Sequence, residues 1–376
     1  MWYLDSQLKY IMLMAVFYIA LSALYPKGAA FAKRNLFPAA FFVFLFSYNP
    51  YTGFLYIVAA FINFYTAKLI LKSNHKKTLF IFSIIFNSVA FLIVSILPYF
   101  NTDILSFISF IGYAYAYLKL MDLSYYAYFY EEEMNIRDVL SFILFVPVFT
   151  SGPIISFNDY KNQIDTPQEM PELEAPVKRI IKGFFKKVVL IKLLYIFHDH
   201  LLEGELNMLL SLLVLFSFYI IGYLDFSGYS DIAIGFSKLM GFHIPENFKF
   251  PFLSPSLTIF WKNWHITLGA WIKSHISIFL KPKTRLQAAV SAFIIMLFIG
   301  VWHKFSLLFF LWGVWHGIFL FIEAYFNIGT VNKKKTKPLI YYARCFVTNL
   351  IVTLGCIFFY SDMDIVLKIF KGLFSL

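Results

Sequence analysis

The sequence predicts an all-α, polytopic integral membrane protein. Of its 376 residues, 60% are hydrophobic, 21% are aromatic and 14% are charged, whereas a soluble domain has roughly 45–50% apolar and about 25% charged residues. The mean hydropathy of +0.71 is too high for a chain that buries its 48 Phe and 25 Tyr in one water-soluble core. These values exclude a disordered chain, a collagen, a secreted disulfide scaffold and a cytosolic enzyme.

Long apolar runs predict about ten or eleven membrane segments, because a helix needs about 20 mostly apolar residues to cross a bilayer. The longer runs are residues 8–25, 51–71, 78–100, 104–130, 286–302, 305–326 and 339–360. The shorter or interrupted runs are residues 36–47, 139–150, 188–197, 208–224, 232–240 and 265–280. We expect the first run to be a retained anchor helix rather than a cleavable signal.

The shorter runs cluster between residues 139 and 303. Non-helical backbone at membrane depth is tolerated only where protein buries it or where it lines a wet cavity. We therefore expect short or re-entrant segments around a central funnel or tunnel, in a single membrane-embedded domain over residues 1–376. The alternative is that some of the short runs are amphipathic helices at the membrane interface.

The basic residues lie in clusters between the apolar runs and give a net charge of +11. Cytoplasmic loops of membrane proteins carry such an excess of Lys and Arg. No motif that reads or stacks on bases accompanies the clusters, so we expect the lipid bilayer as the partner and no nucleic acid. The densest cluster predicts a basic amphipathic helix over residues 177–187, at the membrane surface.

Polar side chains are concentrated at residues 224–231, between two apolar runs, where ionisable groups are costly and mark candidate functional sites. The candidates are Asp225, Ser227, Tyr229, Ser230 and Asp231. Two interpretations stay open: a hydrogen-bonded break that positions two helices, or a direct part in catalysis. Glycines at positions 222, 228 and 235 would let the backbone bend or pack closely.

A second concentration follows a proline-rich stretch, residues 245–256, that we expect to be mostly non-helical. It lies at the predicted start of a helix and contains Trp261, Lys262, Asn263, Trp264 and His265. Trp and Lys by themselves are typical anchors at a membrane interface. A single histidine in such a place is more often a hydrogen-bonded structural residue than a reactive one.

Two further histidines each follow a tryptophan in an apolar hairpin. His303 follows Trp302, and His316 follows Trp315. A buried neutral imidazole keeps one ring nitrogen free to act as a general base, which contributes about 10² to 10⁴ in rate. His265 and these two histidines have no short ligand spacing, so we expect no metal site.

Two other classes of protein were weighed against general-base chemistry. A Ser–His–Asp triad is disfavoured, because the sequence has no Gly-x-Ser-x-Gly turn. A proton-coupled transporter or flippase stays open as the non-enzymatic alternative, since intramembrane Asp and His also form proton relays. The sequence shows no internal repeat, which many transporters have.

Three strings carry a family resemblance: Asp-Phe-Ser-Gly-Tyr-Ser-Asp from Asp225, Pro-Glu-Asn-Phe from Pro245 and Phe-Trp-Lys-Asn-Trp-His from Phe260. With Phe-Thr-Ser-Gly-Pro-Ile from Phe149 and the two Trp-His pairs, they form a signature core over about residues 149–317. This ordered set resembles the membrane-bound O-acyltransferases, in the bacterial branch that modifies polysaccharides. The set with its spacing is specific, although one string alone would be weak.

The resemblance implies transfer of an acyl group to hydroxyls of an extracytoplasmic cell-envelope polymer by a multi-pass protein of the bacterial cytoplasmic membrane. The implied donor is a cytoplasmic thioester, on a phosphopantetheine carrier protein or as acyl-CoA, with no tightly bound cofactor. The acceptor is the polymer or an accessory acyl-transfer protein. His303 matches the active histidine, the expected general base. His265 matches a second histidine that orients the donor or stabilises the oxyanion, and His316 matches a third position without an assigned role.

The resemblance divides on the acyl group. The Asp225 string is most like that of alginate and peptidoglycan O-acetylases. The Phe149 string, the chain length and the short tail after His316 are more like the D-alanyl transferases of teichoic acids, so D-alanyl transfer is slightly favoured over O-acetylation. Lys304 stands where the family usually has glycine, which leaves the substrate open.

The remaining candidates are expected to line the tunnel or to support it: Asp225, Ser227, Tyr229, Asp231, Trp261, Asn263, Trp264, Trp302 and His316. A carrier protein is usually acidic, and charge complementarity speeds association. We therefore expect the carrier to bind the basic helix at residues 177–187, through Lys182, Lys186 and Lys187.

Overall fold

The computed structural model describes residues 13, 16, 17, 19, 20, 26–97, 112–165, 172–360 and 362–375. Within these residues the regular structure is helical, and Phe248 and Trp264 form an isolated antiparallel bridge. The anchor helix predicted at residues 8–25 lies largely outside the described residues. The end of the 78–100 run and the start of the 104–130 run lie outside them as well.

The chain divides into two compact units. The first unit comprises the described residues up to Ile181 together with Ser230–Pro245, and the second comprises Lys182–Tyr229 and Glu246–Leu376. The single domain predicted over residues 1–376 stays a prediction.

The helices up to residue 164 belong to the first unit. α3 begins after Asn49, whose side chain accepts a hydrogen bond from the Thr52 N–H, and Pro50 occupies its first helical position, as is typical of a helix start. The helices are α1 (Pro26–Phe31), α2 (Phe37–Tyr48), α3 (Pro50–Lys72), α4 (Lys76–Ile96), α5 (Tyr113–Tyr125), α6 (Ile136–Ile143) and α7 (Phe157–Ile164), with π-helical turns at Ala32–Leu36 and Tyr126–Tyr130.

The later helices build the second unit and the remainder of the first. π-helical turns at Phe185–Leu190 and Lys273–Ser277 prolong α8 and α12. The helices are α8 (Glu174–Phe184), α9 (Ile191–Glu203), α10 (Met208–Leu239), α11 (Leu257–Asn263), α12 (Ile266–Ile272), α13 (Arg285–His303), α14 (Leu307–Tyr325), α15 (Pro338–Gly355) and α16 (Met363–Leu373).

Six helices of the described residues are long and apolar enough to cross a membrane: Pro50–Lys72, Lys76–Ile96, Met208–Leu239, Arg285–His303, Leu307–Tyr325 and Pro338–Phe359. Large apolar side chains on their surfaces are exposed, Phe54, Phe346 and Leu339 among them, as a lipid-facing surface requires. The prediction of an all-α polytopic membrane protein is confirmed. The predicted ten or eleven segments also counted shorter pieces, of which Ile266–Leu280 is one apolar helical example.

The helix break predicted at residues 224–231 is wrong. α10 is one continuous helix of 32 residues that runs through this stretch. The alternative role of the glycines, close packing, is what the structure shows. In the second unit, a Cβ on Gly228 would lie 2.9 Å from the Lys187 side chain, and in the first unit a Cβ on Gly235 would lie 2.9 Å from the Pro176 carbonyl oxygen.

Glycines bring the two helices of the α13–α14 hairpin into close contact. A Cβ on Gly313 would lie 2.8 Å from the carbonyl oxygen of Met296, and a Cβ on Gly317 would lie 2.8 Å from the Phe293 ring. Small residues at such positions let membrane helices approach closely. The predicted hairpin is confirmed, and its tight packing fixes the two helices that carry His303 and His316.

The stretch at residues 245–256 is non-helical apart from a 3₁₀ turn at Pro251–Leu253, as predicted. α15 holds this stretch through side chains that bond its carbonyl oxygens. Tyr341 Oη donates to Leu253 O at 3.0 Å and Arg344 Nε donates to Pro255 O at 3.0 Å. The helix predicted to begin near His265 is observed in two parts, α11 and α12, and the chain turns between them.

Candidate functional site

The second unit contains a cavity of about 440 Å³. Its walls come from α9, α10, α11, α12, α13, α14 and the end of α15, and most of the lining side chains are aromatic or aliphatic. His265, His303 and His316 all line it, together with Asp225. Three histidines that are far apart in the sequence therefore face one predominantly apolar space.

His265 lies at the turn between α11 and α12, where its backbone has a left-handed conformation with φ of +48°. Such a conformation costs about 1–2 kcal/mol for a residue with a side chain and persists only where its surroundings enforce it. His265 is the N-cap residue of α12, yet its side chain makes no capping hydrogen bond. The ring is 5% exposed and its centroid is 6.4 Å from that of Phe226.

His303 is the last residue of α13 and is half-buried. The Trp302 ring centroid lies 4.8 Å from the His303 centroid, and the Trp312 ring stands edge-on to it at 5.8 Å. Lys304 ends the helix in an extended conformation and is exposed. The aromatic neighbours fix the plane of the imidazole without occupying its side of the cavity.

His316 lies on α14 and is 1% exposed. Its ring centroid is 5.2 Å from that of Trp261 and 4.8 Å from that of Trp312, so Trp312 contacts both histidines of the hairpin. Among the described residues, His316 Nδ1 has no hydrogen-bond partner. A Cβ on Gly355 would lie 2.9 Å from His316 Nε2, so α15 closes over the ring where only glycine leaves room.

Asp225 brings a carboxylate to the cavity and is paired with Lys187 of the π-helical turn that follows α8. The Asp225 side chain is 52% exposed, whereas that of Lys187 is 18% exposed. The next lysine, Lys186, donates from Nζ to Ser227 Oγ at 3.1 Å. These contacts satisfy the polar groups that the sequence had marked as costly in an apolar run.

The other predicted site residues surround the cavity or lie away from it. Trp261 and Trp264 line it, whereas Asn263 does not and donates to Ser254 Oγ at 3.2 Å. Trp302 is buried beside His303, and Tyr229 is buried with Lys187 over its ring at 5.7 Å. In the first unit, Asp231 accepts from Arg179 Nε at 3.1 Å.

Two carboxylate and hydroxyl caps fix α11, which carries Trp261. Glu323 of α14 accepts the N–H groups of Leu257 and Thr258 at 2.8 Å each. Ser256 Oγ accepts the Ile259 N–H at 3.1 Å. The first N–H groups of α11, which have no partner inside the helix, are thereby satisfied. Glu323 links the helix of Trp261 to that of His316.

Several lining residues carry no signal in the sequence. Tyr195, Phe226, Met296, Cys356 and Phe359 line the cavity, but each is an apolar or aromatic residue in an apolar run and is indistinguishable there from a lipid-facing one. The cysteines are not paired, as expected: Cys345 and Cys356 are both free and buried.

The donor set of the cavity suits proton transfer more than metal binding. The described residues contain no group of three His, Cys, Asp or Glu side chains placed to hold a metal ion. Neutral imidazoles in an apolar, aromatic enclosure can accept a proton from a hydroxyl and return it. The fold and this cavity define a polytopic membrane protein with a histidine-lined chamber.

The family model of the membrane-bound O-acyltransferase family matches residues 70–361, and the chain belongs to this family. The matched range includes the whole described lining of the cavity. The family resemblance drawn from the Asp225, Pro245 and Phe260 strings is confirmed.

Relatives with printed names come from the polysaccharide-modifying branch. A protein named probable alginate O-acetylase, from Pseudomonas fluorescens, is 31% identical over 253 residues, which cover 64% of this chain and 49% of the relative. A teichoic acid D-alanyltransferase from Streptococcus thermophilus is 34% identical over 227 residues, or 54% of this chain and 53% of the relative. A peptidoglycan O-acetyltransferase from Helicobacter pylori is 27% identical over 248 residues, or 64% and 47%. The chain thus spans about half the length of these relatives.

Proposed function

We propose that the protein is a membrane-bound O-acyltransferase that moves an acetyl or D-alanyl group from a cytoplasmic thioester to hydroxyls of an extracytoplasmic cell-envelope polymer. The protein acts in the bacterial cytoplasmic membrane. The observation that carries the proposal is the meeting of His265, His303 and His316 in one apolar cavity, in a chain of this family. The names of the relatives support the two acyl groups and the polymer class.

His303 is the general base. It takes the proton of the acceptor hydroxyl while the hydroxyl oxygen attacks the carbonyl carbon of the thioester. The carbon–oxygen bond forms, the carbon–sulfur bond breaks, and the proton passes to the leaving thiolate. The free edge of the half-buried His303 ring, backed by Trp302 and Trp312, supports this role, because a base has to be accessible and fixed in orientation.

His265 acts on the donor side, where it orients the thioester or stabilises the developing oxyanion. A preorganised donor in a site without bulk water stabilises such charge more than water does. Asp225 supports the wall of the cavity through its pair with Lys187. Holding both reactants in one enclosed passage supplies proximity, which contributes several kcal/mol, about 7–11 in favourable cases.

The donor enters as the thioester end of a long arm, on a carrier protein or on CoA. The described lining of the cavity contains no Lys or Arg, so the phosphates of either donor stay outside while the acyl-pantetheine end enters. No cofactor is retained between turnovers in this scheme. The acceptor is the polymer itself or an accessory protein that passes the acyl group on.

Esters in the cell envelope test this proposal. Mild base would release esters from purified envelope polymers of cells that carry the wild-type gene, a deletion or the restored gene, and acetate and D-alanine would be quantified separately. We expect one of the two to fall in the deletion and to return on restoration, and the one that falls identifies the acyl group. If both stay unchanged, the proposal is contradicted and the transport alternative gains support.

A carrier-protein partner predicts a charge effect at Lys182. Of the three lysines expected to contact the carrier, Lys186 and Lys187 are engaged with Ser227 and Asp225, whereas Lys182 is exposed. We expect Lys182→Glu to lower the rate with a carrier-borne donor by about two- to fivefold at low salt, with the difference vanishing at high salt. Initial rates against ionic strength measure it.

The matched control for this prediction is Lys192→Glu, which makes the same charge change at another exposed position of the same helical stretch. Its rate should stay close to that of the wild type. Equal losses in both variants, or no loss in Lys182→Glu, would return the basic helix to a role at the lipid surface.

A further inference from the structure

The helix that follows His265 is capped from outside. The first N–H groups of a helix have no partner within it, and the side chain of the N-cap residue usually accepts one of them. At α12 the N-cap residue is His265, whose side chain makes no such bond. Asn247 takes over this task from a position 20 residues earlier in the chain: its backbone oxygen accepts the Ile266 N–H at 2.9 Å.

The side chain of Asn247 completes the cap. Its Oδ1 accepts from the Thr267 N–H at 3.3 Å and from Thr267 Oγ1 at 2.9 Å. Asn247 is 1% exposed and Thr267 is 3% exposed, so water cannot replace these bonds. Two residues on, the Lys249 N–H donates to Asn263 O at 3.0 Å, and the segments are thereby bound on both sides of His265.

The cap explains how the left-handed backbone at His265 is maintained. A conformation of this kind needs surroundings that over-determine it. The Phe248–Trp264 bridge fixes the residue before His265, and Asn247 fixes the two residues after it. With the helix start satisfied by Asn247, the imidazole of His265 is released from capping and lines the cavity.

We propose that Asn247 is a positioning residue for His265: it caps α12 in place of His265 and thereby keeps the imidazole in the cavity. This inference rests on the proposed function, in which His265 acts on the donor. It gives a mechanical role to the Pro-Glu-Asn-Phe string from Pro245, which the general-base mechanism leaves without one. Asn247 itself does not line the cavity and acts through His265.

Hydrogen exchange and ester formation together test the inference on the full-length protein in lipid nanodiscs and in cells. In Asn247→Ala, we expect the amides of residues 266 and 267 to exchange at least about tenfold faster, because their acceptors are lost or displaced. Ester content per molecule of protein should fall by about tenfold or more, since an ångström of misplacement of a catalytic group can cost about 10² in rate.

Thr267 supplies a matched pair of milder variants. Thr267→Val keeps the shape and removes the hydroxyl bond to Asn247, and we expect a two- to fivefold loss of ester, about one missing hydrogen bond's worth. Thr267→Ser keeps that bond and should stay within about twofold of the wild type. This pair decides the question if Asn247→Ala fails to accumulate.

Asn63→Ala is the control for a general loss of stability, because Asn63 is also 2% exposed and bonds another amide, Asn87, in the first unit. An equal loss of ester per molecule in Asn63→Ala would overturn the positioning role. So would faster exchange at residues 266 and 267 with normal ester content. His265→Ala separates the two proposals: if it is fully active, the role of His265 in the proposed function fails, whereas an inactive His265→Ala beside an active Asn247→Ala refutes the inference alone.

Discussion

His303→Ala should abolish ester formation while the protein accumulates and inserts normally. The variant removes the group that takes the hydroxyl proton, and loss of a positioned general base costs about 10² to 10⁴ in rate. His303 is half-buried at the end of α13 and lines the cavity without carrying a helix contact of its own. The fold is therefore expected to survive the change. Ester content normalised to the amount of membrane-inserted protein measures the effect.

Two companion variants define the meaning of that result. His303→Gln keeps a polar side chain of similar length and should be as inactive as alanine, because an amide does not accept a proton at neutral pH. His243→Ala removes an exposed histidine in the first unit and should leave ester formation unchanged. Ester formation by His303→Ala within a fewfold of the wild-type value would remove His303 from the mechanism.

The membrane character and the histidine hairpin could be predicted because their determinants are local. Length and composition of the apolar runs mark α3, α4, α13, α14 and α15 without reference to distant residues. The thirteen-residue spacing of His303 and His316 places them on two consecutive helices, whose short connection requires a hairpin. That His265 joins the same cavity came from the family resemblance, because no local pattern connects it to the hairpin.

The helix break in α10 was predicted wrongly for a physical reason. Asp225 and Asp231 look too costly for a continuous membrane helix when only their neighbours in sequence are considered. Their cationic partners, Lys187 and Arg179, lie 38 and 52 residues earlier, and pairing removes most of the cost of the charge. Tertiary partners of this kind cannot be inferred from one sequence, and the same holds for Asn247, which caps a helix 20 residues away.

Filling the cavity from α10 should stop the reaction without touching any histidine. Gly222 lines the cavity, and a Cβ built on it would meet no atom within 4 Å. In Gly222→Phe we expect the ring to occupy part of the 440 Å³ and to lower ester formation by about tenfold or more, because both reactants need this space at once. The amount of inserted protein should stay normal, since the added ring displaces no packed group.

Size and place are separated by two controls. Gly222→Ala adds only a methyl group, so it should keep activity within about twofold and raise helix stability by about 0.5–1 kcal/mol. Gly204→Phe adds the same ring at an exposed position after α9 that also has open space around it, and it should be fully active. An active Gly222→Phe would mean that neither substrate passes this wall of the cavity, and the site of transfer would then have to lie elsewhere among the histidines. A loss in Gly222→Phe alone ties the reaction to the chamber itself, because no titratable group has changed.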